Sequence, residues 1–157
     1  MRSSHASLRR VRKIAEFQFG RDAGEALFPD NCTFQYSTSQ RIRYILLDGV
    51  RLATVRAQDG RLTLSYDGAA RLHLFLAPPA GRVVVMEDAV PFILEGKNAM
   101  AKHVIEADPQ IRAEDEVFVV SRDDTLLATG MAALSGSEML EFKCGGAVKV
   151  RQGRDKR

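Results

Sequence analysis

The stretch Asp88-Ala89-Val90-Pro91-Phe92-Ile93-Leu94-Glu95-Gly96-Lys97-Asn98-Ala99-Met100-Ala101-Lys102-His103-Val104 sets the architecture of the second half of the chain. It reads as a short helix around 89–95 stopped at Gly96, then a strand near 102–106. A glycine at a helix end can take the left-handed conformation and let another backbone approach closely. A strand at 83–86 precedes the helix, and short strands follow near 116–121, 125–133 and 147–151, punctuated by Gly130, Gly136, Gly145 and Gly146. Several short strands separated by glycine turns predict a small barrel.

Toward the N-terminus, Ala77-Pro78-Pro79-Ala80-Gly81 can continue neither strand nor helix, and it divides the chain into domains at 1–77 and 78–157. The stretch 33–67 reads as a β-meander, because Asp48-Gly49 and Asp59-Gly60 are hairpin signals flanked by strand-like runs. Alternation in Arg61-Leu62-Thr63-Leu64-Ser65-Tyr66 predicts Leu62, Leu64 and Tyr66 on one face. Before the meander, Leu8, Val11, Ile14 and Ala15 make residues 7–18 an amphipathic helix, with Ser4 or Ser7 as its cap. Its polar side presents Arg9, Arg10, Arg12 and Lys13 together. A second short helix is expected over 21–27, ended by Phe28-Pro29-Asp30-Asn31.

With 157 residues, 45% hydrophobic and 27% charged, the chain can bury a core without a metal or disulfide staple. Trp is absent, so that core rests mainly on Leu, Val, Ile and Ala. Cys32 and Cys144 have no CxxC spacing and no nearby His, which excludes a four-ligand zinc site unless other residue types contribute. No run approaches the roughly 18 apolar residues needed to span a bilayer. The opening Met-Arg-Ser-Ser-His-Ala-Ser-Leu-Arg-Arg lacks a hydrophobic signal core, so a soluble, cytoplasmic protein without membrane contact is expected.

The net charge is +3, but its distribution says more than its total. Residues 1–14 hold Arg2, Arg9, Arg10, Arg12 and Lys13 with no acid, and 149–157 hold five basic residues against Asp155. The interior, 15–148, has a net charge of −6. Basic ends can follow a phosphate backbone by releasing its counterions, or they can simply solubilise the chain.

The second half resembles a PUA domain, the pseudo-barrel attached to RNA-modifying enzymes. The opening stretch carries this resemblance together with Asp108-Pro109-Gln110-Ile111-Arg112, Asp115-Glu116-Val117 and Leu126-Leu127-Ala128-Thr129-Gly130-Met131-Ala132. It continues through Ser135, Glu138-Met139 and Gly146-Ala147-Val148-Lys149-Val150. In the first half, Phe17-Gln18-Phe19-Gly20, Ala26-Leu27-Phe28-Pro29, Arg41-Ile42-Arg43-Tyr44 and the Asp59-Gly60 hairpin resemble the domain preceding PUA in archaeal tRNA-guanine transglycosylases and archaeosine synthases. The resemblance implies an α+β chain: a small N-terminal α+β domain of helix and antiparallel meander, then a PUA-like β pseudo-barrel with a basic C-terminal tail. It further implies an RNA-binding module that holds tRNA, with the barrel on the acceptor stem and 3′ end. The transglycosylase barrel of roughly 200 residues or more does not fit within this length, and the zinc cysteines of that family are absent. The chain is therefore expected to be no enzyme by itself, with no catalytic residue, no metal and no small-molecule cofactor.

In the resembled domain the helix-turn-strand region forms part of the RNA groove, which makes Gly96, Lys97, Asn98, Lys102 and His103 candidate phosphate and ribose contacts, Gly96 being otherwise a plain helix cap and His103 a surface or satisfied strand histidine. Lys143, Lys149 and Arg151 near the last strand form the other half of that groove, or else a solvated edge strand. Arg41 and Arg43 share a sheet face that is either an RNA surface or the wet side of a half-buried sheet. Glu114-Asp115-Glu116 and Asp123-Asp124 fall at turns, and Asp115 fits a barrel-turn residue better than a metal ligand. Ser135 and Ser137 lack a His–Asp pair and are no nucleophiles. Phe17, Phe19, Leu27 and Phe28 read as core, and the same holds for Phe75, Phe92, Phe118 and Phe142. Tyr44 alone combines an aromatic ring with flanking positive charge, the setting of single-strand RNA readers.

Three function classes follow. The first is a non-catalytic RNA-binding protein that recognises structured RNA, most simply tRNA, by backbone and shape. The second is the tRNA-docking subunit of a tRNA-modifying enzyme whose catalytic chain is separate. The third is a protein-binding adaptor, for which the acidic interior speaks.

Overall fold

The computed structural model describes residues 4–157, so Arg2 of the N-terminal basic run lies outside the described residues. The chain forms two compact units, Met1–Phe75 and Leu76–Arg157.

In the first unit, α1 (Ser4–Phe19) and α2 (Ala23–Leu27) precede β1 (Thr33–Tyr36), β2 (Ile42–Leu47), β3 (Val50–Val55) and β4 (Leu62–Leu64), and α3 (Tyr66–Phe75) closes the unit. The four strands form the expected antiparallel meander in the order β1-β2-β3-β4. At the β2–β3 hairpin, Asp48 and Gly49 both take positive φ, 51° and 80°, as a two-residue turn matched to strand twist requires. α1 buries Ser7, Leu8, Val11 and Ala15. Ser7 is therefore no cap: it sits inside the helix, and its hydroxyl shares a 2.8 Å hydrogen bond with that of Tyr36. Arg12 also departs from the expected basic face. Its guanidinium donates to the Phe28 carbonyl at 2.7 and 2.9 Å and pairs with Asp30 at 2.9 Å. Arg9, Arg10 and Lys13 remain exposed.

The expected alternation through Tyr66 ends early. Ser65 donates to the Arg51 carbonyl at 2.6 Å and accepts the Gly68 N–H at 3.1 Å, which caps α3 from its first turn. Tyr66 thus opens a helix instead of joining the face of Leu62 and Leu64. Phe17, expected in the core, is 94% exposed, whereas Leu27 and Phe28 are fully buried and Phe19 is half-buried. The helix directs the Leu8–Val11–Ala15 stripe inward, and position 17 lies off that stripe.

In the second unit, β5 (Arg82–Val85) leads through a 3-10 turn into α4 (Val90–Leu94). Then come β6 (Ala99–Met100), β7 (Val104–Ala107), β8 (Glu116–Val120), β9 (Leu126–Ala132), α5 (Gly136–Glu141) and β10 (Gly146–Gly153). The sheet order is β6-β10-β9-β8-β5-β7, with β5 and β8 parallel and the other pairs antiparallel. Its two end strands, β6 and β7, are consecutive in the chain and joined by the turn Ala101–His103. The sheet therefore curls into a nearly closed barrel around Val83, Val85, Ile93, Val117, Val119, Leu127, Met139 and Val148. α5 lies where sequence predicts only a glycine-marked connection between strands. Its Ser135 accepts the Glu138 N–H at 3.3 Å while the Glu138 carboxylate accepts the Ser135 N–H at 2.9 Å, a complete capping box. Phe118 is buried as expected, but Phe75, Phe92 and Phe142 are exposed, so the core reading fails for these three. No helix among the described residues is long and apolar enough to cross a membrane.

Candidate nucleic-acid interface

The end of α4 organises the candidate surface. Gly96 takes φ 92°, the Gly96 N–H donates to the Ile93 carbonyl, and the Lys97 N–H donates to the Phe92 carbonyl, each at 3.0 Å. This pair of bonds is the Schellman closure that a left-handed glycine permits. The remaining Leu94 carbonyl accepts the Asp155 N–H at 3.0 Å. Gly153 of β10 lies so close that a Cβ there would stand 2.4 Å from the Leu94 oxygen and 2.7 Å from the Gly96 nitrogen. Two glycines thus lock the helix end onto the last strand, and the chain leaves toward β6 with Lys97 and Asn98 exposed.

Asn98 does more than present an amide: its Oδ1 accepts the Val150 N–H at 3.0 Å and extends the β6–β10 edge by one contact. Beyond β6, the Ala101 N–H donates to the Gly145 carbonyl at 2.9 Å, so the segment carrying Lys102 runs beside the loop carrying Lys143. His103 is half-buried in the turn between β6 and β7, and its carbonyl accepts the Met86 N–H at 2.8 Å. On β10, Lys149 and Arg151 alternate with Val148 and Val150 and point outward. Lys97, Lys102, Lys143 and Lys149 are all exposed, and none has an acidic partner among the described residues. Such ammonium groups suit phosphate contacts, which position a nucleic acid without reading its sequence.

Arg151 differs from these lysines. Its guanidinium grips the Glu116 carboxylate in two parallel bonds of 2.6 and 2.8 Å, and the Glu116 side chain is only 2% exposed. The acidic runs 114–116 and 123–124 engage separate partners. Glu116 belongs to Arg151, and Asp115 accepts the Arg112 N–H at 2.9 Å as a turn residue. Asp124 pairs with the buried Arg82 at 3.1 Å. Hydrogen bonds from Ser121 and Thr125 hold the Asp123 carboxyl below its usual range. Among the described residues no group of His, Cys, Asp and Glu is arranged to hold a metal ion.

Arg41 and Arg43 belong to the first unit, both exposed. Arg43 Nε donates to the Tyr44 hydroxyl at 3.0 Å. That bond and the charges of Arg43 and Arg51 lower the phenol's pKa from its ordinary value.

The chain matches the patch-forming domain C2 of tRNA-guanine transglycosylase over residues 9–79 and the PUA domain over residues 81–154. It is 50% identical to the tRNA-guanine(15) transglycosylase of Pyrococcus abyssi over 147 residues, 94% of this chain and 25% of that protein. Against the enzyme of the same name from Methanothermobacter thermautotrophicus it is 46% identical, over 93% of this chain and 22% of that protein. The chain thus spans about a quarter of the length of these relatives. In structure it is similar to a hypothetical protein from Pyrococcus horikoshii, with a TM-score of 0.73, 26% identity, and coverage of 96% of this chain and 92% of that one. A conserved PUA domain protein from Thermoplasma acidophilum shares the fold at a TM-score of 0.65 and 22% identity, over 97% of this chain and 91% of that one.

Proposed function

Since the chain belongs to the PUA-domain proteins and carries the patch-forming domain C2 of tRNA-guanine transglycosylase ahead of its PUA domain, we propose that it binds structured RNA without catalysing a reaction itself. The RNA is tRNA, held in the cytoplasm by its acceptor stem and 3′ end. The observation that carries this reading is the set Lys97, Lys102, Lys143 and Lys149, exposed around the α4–β6–β10 corner without acidic partners among the described residues. Four cations on consecutive surface segments can follow the phosphates of an A-form helix, whose shallow minor groove also offers 2′-hydroxyls. Gly96 lets the backbone come close to the RNA, and the Asn98 amide and His103 supply polar contacts to ribose. Arg41 and Arg43 add phosphate contacts from the first unit.

A second reading has its own support. Half of the residues are identical to those of transglycosylases over about a quarter of their length. On this reading the chain supplies tRNA docking to a transglycosylase-type modification whose catalytic part is another polypeptide.

The test is binding of end-labelled tRNA, intact and with its 3′ end trimmed, across a salt series. Binding of intact tRNA that weakens steeply with salt and falls on trimming is the expected result. Absence of binding to either RNA at low salt overturns the RNA reading. Co-purification with a catalytic chain, combined with weak binding alone, selects the docking-subunit reading.

A further inference from the structure

Tyr44 stands at the centre of the outer face of the first unit's sheet. Strand register aligns Gln35, Tyr44, Thr54 and Thr63 in one row across all four strands. The alternate row, Phe34, Ile45, Ala53 and Leu64, turns inward, with Ile45, Ala53 and Leu64 buried. The Tyr44 row is thus the solvent side of a sheet whose other side is core.

Two guanidiniums frame the ring. Arg43 lies 5.2 Å from the Tyr44 ring centroid and Arg51, from β3, lies 5.4 Å away. Arg43 Nε also donates to the Tyr44 hydroxyl at 3.0 Å. Neither arginine has a carboxylate partner among the described residues. Residues 33–55 carry Arg41, Arg43 and Arg51 against a single acid, Asp48 in the hairpin turn.

We propose that the Tyr44 ring, with Arg43 and Arg51, is a stacking site for an unpaired ribonucleotide of a bound RNA. The base packs into the cation–aromatic cluster against the Tyr44 ring, displacing one guanidinium from over it; its flanking phosphates take up Arg43 and Arg51, and Arg41 takes the next phosphate along the strand. Gln35, Thr54 and Thr63 offer side-chain donors and acceptors to base edges and 2′-hydroxyls. The positive charge selects a polyanion, and the flat ring selects one with π-faces, which distinguishes single-stranded RNA from a duplex whose bases are already stacked. The proposal rests on the RNA reading and adds to it a second site of different chemistry from the lysine corner.

The experiment is fluorescence anisotropy of a short labelled oligouridylate and of a blunt RNA duplex, with the full chain. Tyr44→Ala is expected to weaken oligouridylate binding by roughly 5- to 150-fold, the range measured for one lost base–aromatic stack, with duplex affinity unchanged. Tyr44→Phe keeps the ring and retains the binding, while Arg51→Glu reverses one charge without touching the ring and weakens it. Should Tyr44→Ala and Arg51→Glu bind oligouridylate as the parent does, the stacking site is overturned even where tRNA still binds. Equal losses on oligouridylate and duplex overturn it too, as does binding of an acidic peptide in preference to the oligonucleotide. If no RNA of any kind binds, this site and the function proposed above fall together.

Discussion

The guanidinium of Arg151 on β10 reaches across β9 to the carboxylate of Glu116 on β8 and binds both of its oxygens, at 2.6 and 2.8 Å. Glu116 is buried and Arg151 keeps part of its surface in water. The pair therefore joins two strands of the barrel and engages a cation that the sequence reading offers to an RNA groove.

Arg151→Met leaves the Glu116 carboxylate buried without its counter-charge. The expected loss is about 3 kcal/mol, the low end for breaking a buried pair because Arg151 is partly solvated. Urea denaturation reads this directly, and replacing Glu116 by Gln in the same chain recovers most of it. A loss of RNA affinity in Arg151→Met without a loss of stability would return Arg151 to the RNA contacts.

Lys97, Lys102, Lys143 and Lys149 behave differently. Each single Lys→Ala change leaves stability within about 0.5 kcal/mol, since exposed side chains without partners contribute little to folding. Each weakens tRNA binding and lowers the slope of log affinity against log salt by about 1. Slopes that stay unchanged in all four variants would place the phosphates elsewhere.

Gly153→Ala drives a methyl group to 2.4 Å from the Leu94 oxygen and 2.7 Å from the Ile93 oxygen and the Gly96 nitrogen. Overpacking of this kind costs about 1–3 kcal/mol. Because the displaced atoms are those that position Lys97, tRNA affinity falls with stability. An unchanged melting temperature would show that the helix end is not locked to β10.

The two cysteines separate by reactivity. Burial pushes the Cys32 thiol up from 9.0 to about 11, although Arg71 and Arg12 pull it down. Cys144 is exposed. In native protein at mildly alkaline pH a thiol reagent modifies Cys144 quickly and Cys32 only after denaturant is added. The contribution of the neutral Cys32 thiol to stability is fully present below pH 9 and is lost as pH rises from 9 to about 11, because the unfolded chain ionises first. Cys32→Ala removes that part of the alkaline loss, and an unchanged alkaline profile would contradict it.

Local signals carried much of the fold. Asp48-Gly49, Asp59-Gly60 and Gly96 each demand a turn or helix end within a few residues, and each stands where sequence put it. Of the periodic stripe Leu8, Val11, Ile14 and Ala15, three residues are buried and Ile14 is half-buried. Two further local signals stand in the sequence. Ser65 before Tyr66 caps α3, and Ser135 with Glu138 is a capping box for α5.

What sequence did not settle is which side chains the fold consumes. Phe17 and Phe92 look like core by type, yet they are 94% and 62% exposed, because burial is decided by the surface that another element presents. Arg12 and Arg151 look like surface cations, yet Asp30 and Glu116, 18 and 35 residues distant, bind them. Sequence by itself therefore determined the turns, the strand runs and the supply of cations, since these depend on backbone preferences over a few residues. Only the tertiary structure decided which cations remain without carboxylates, since an ion pair forms where the packing of distant segments brings its two ends together.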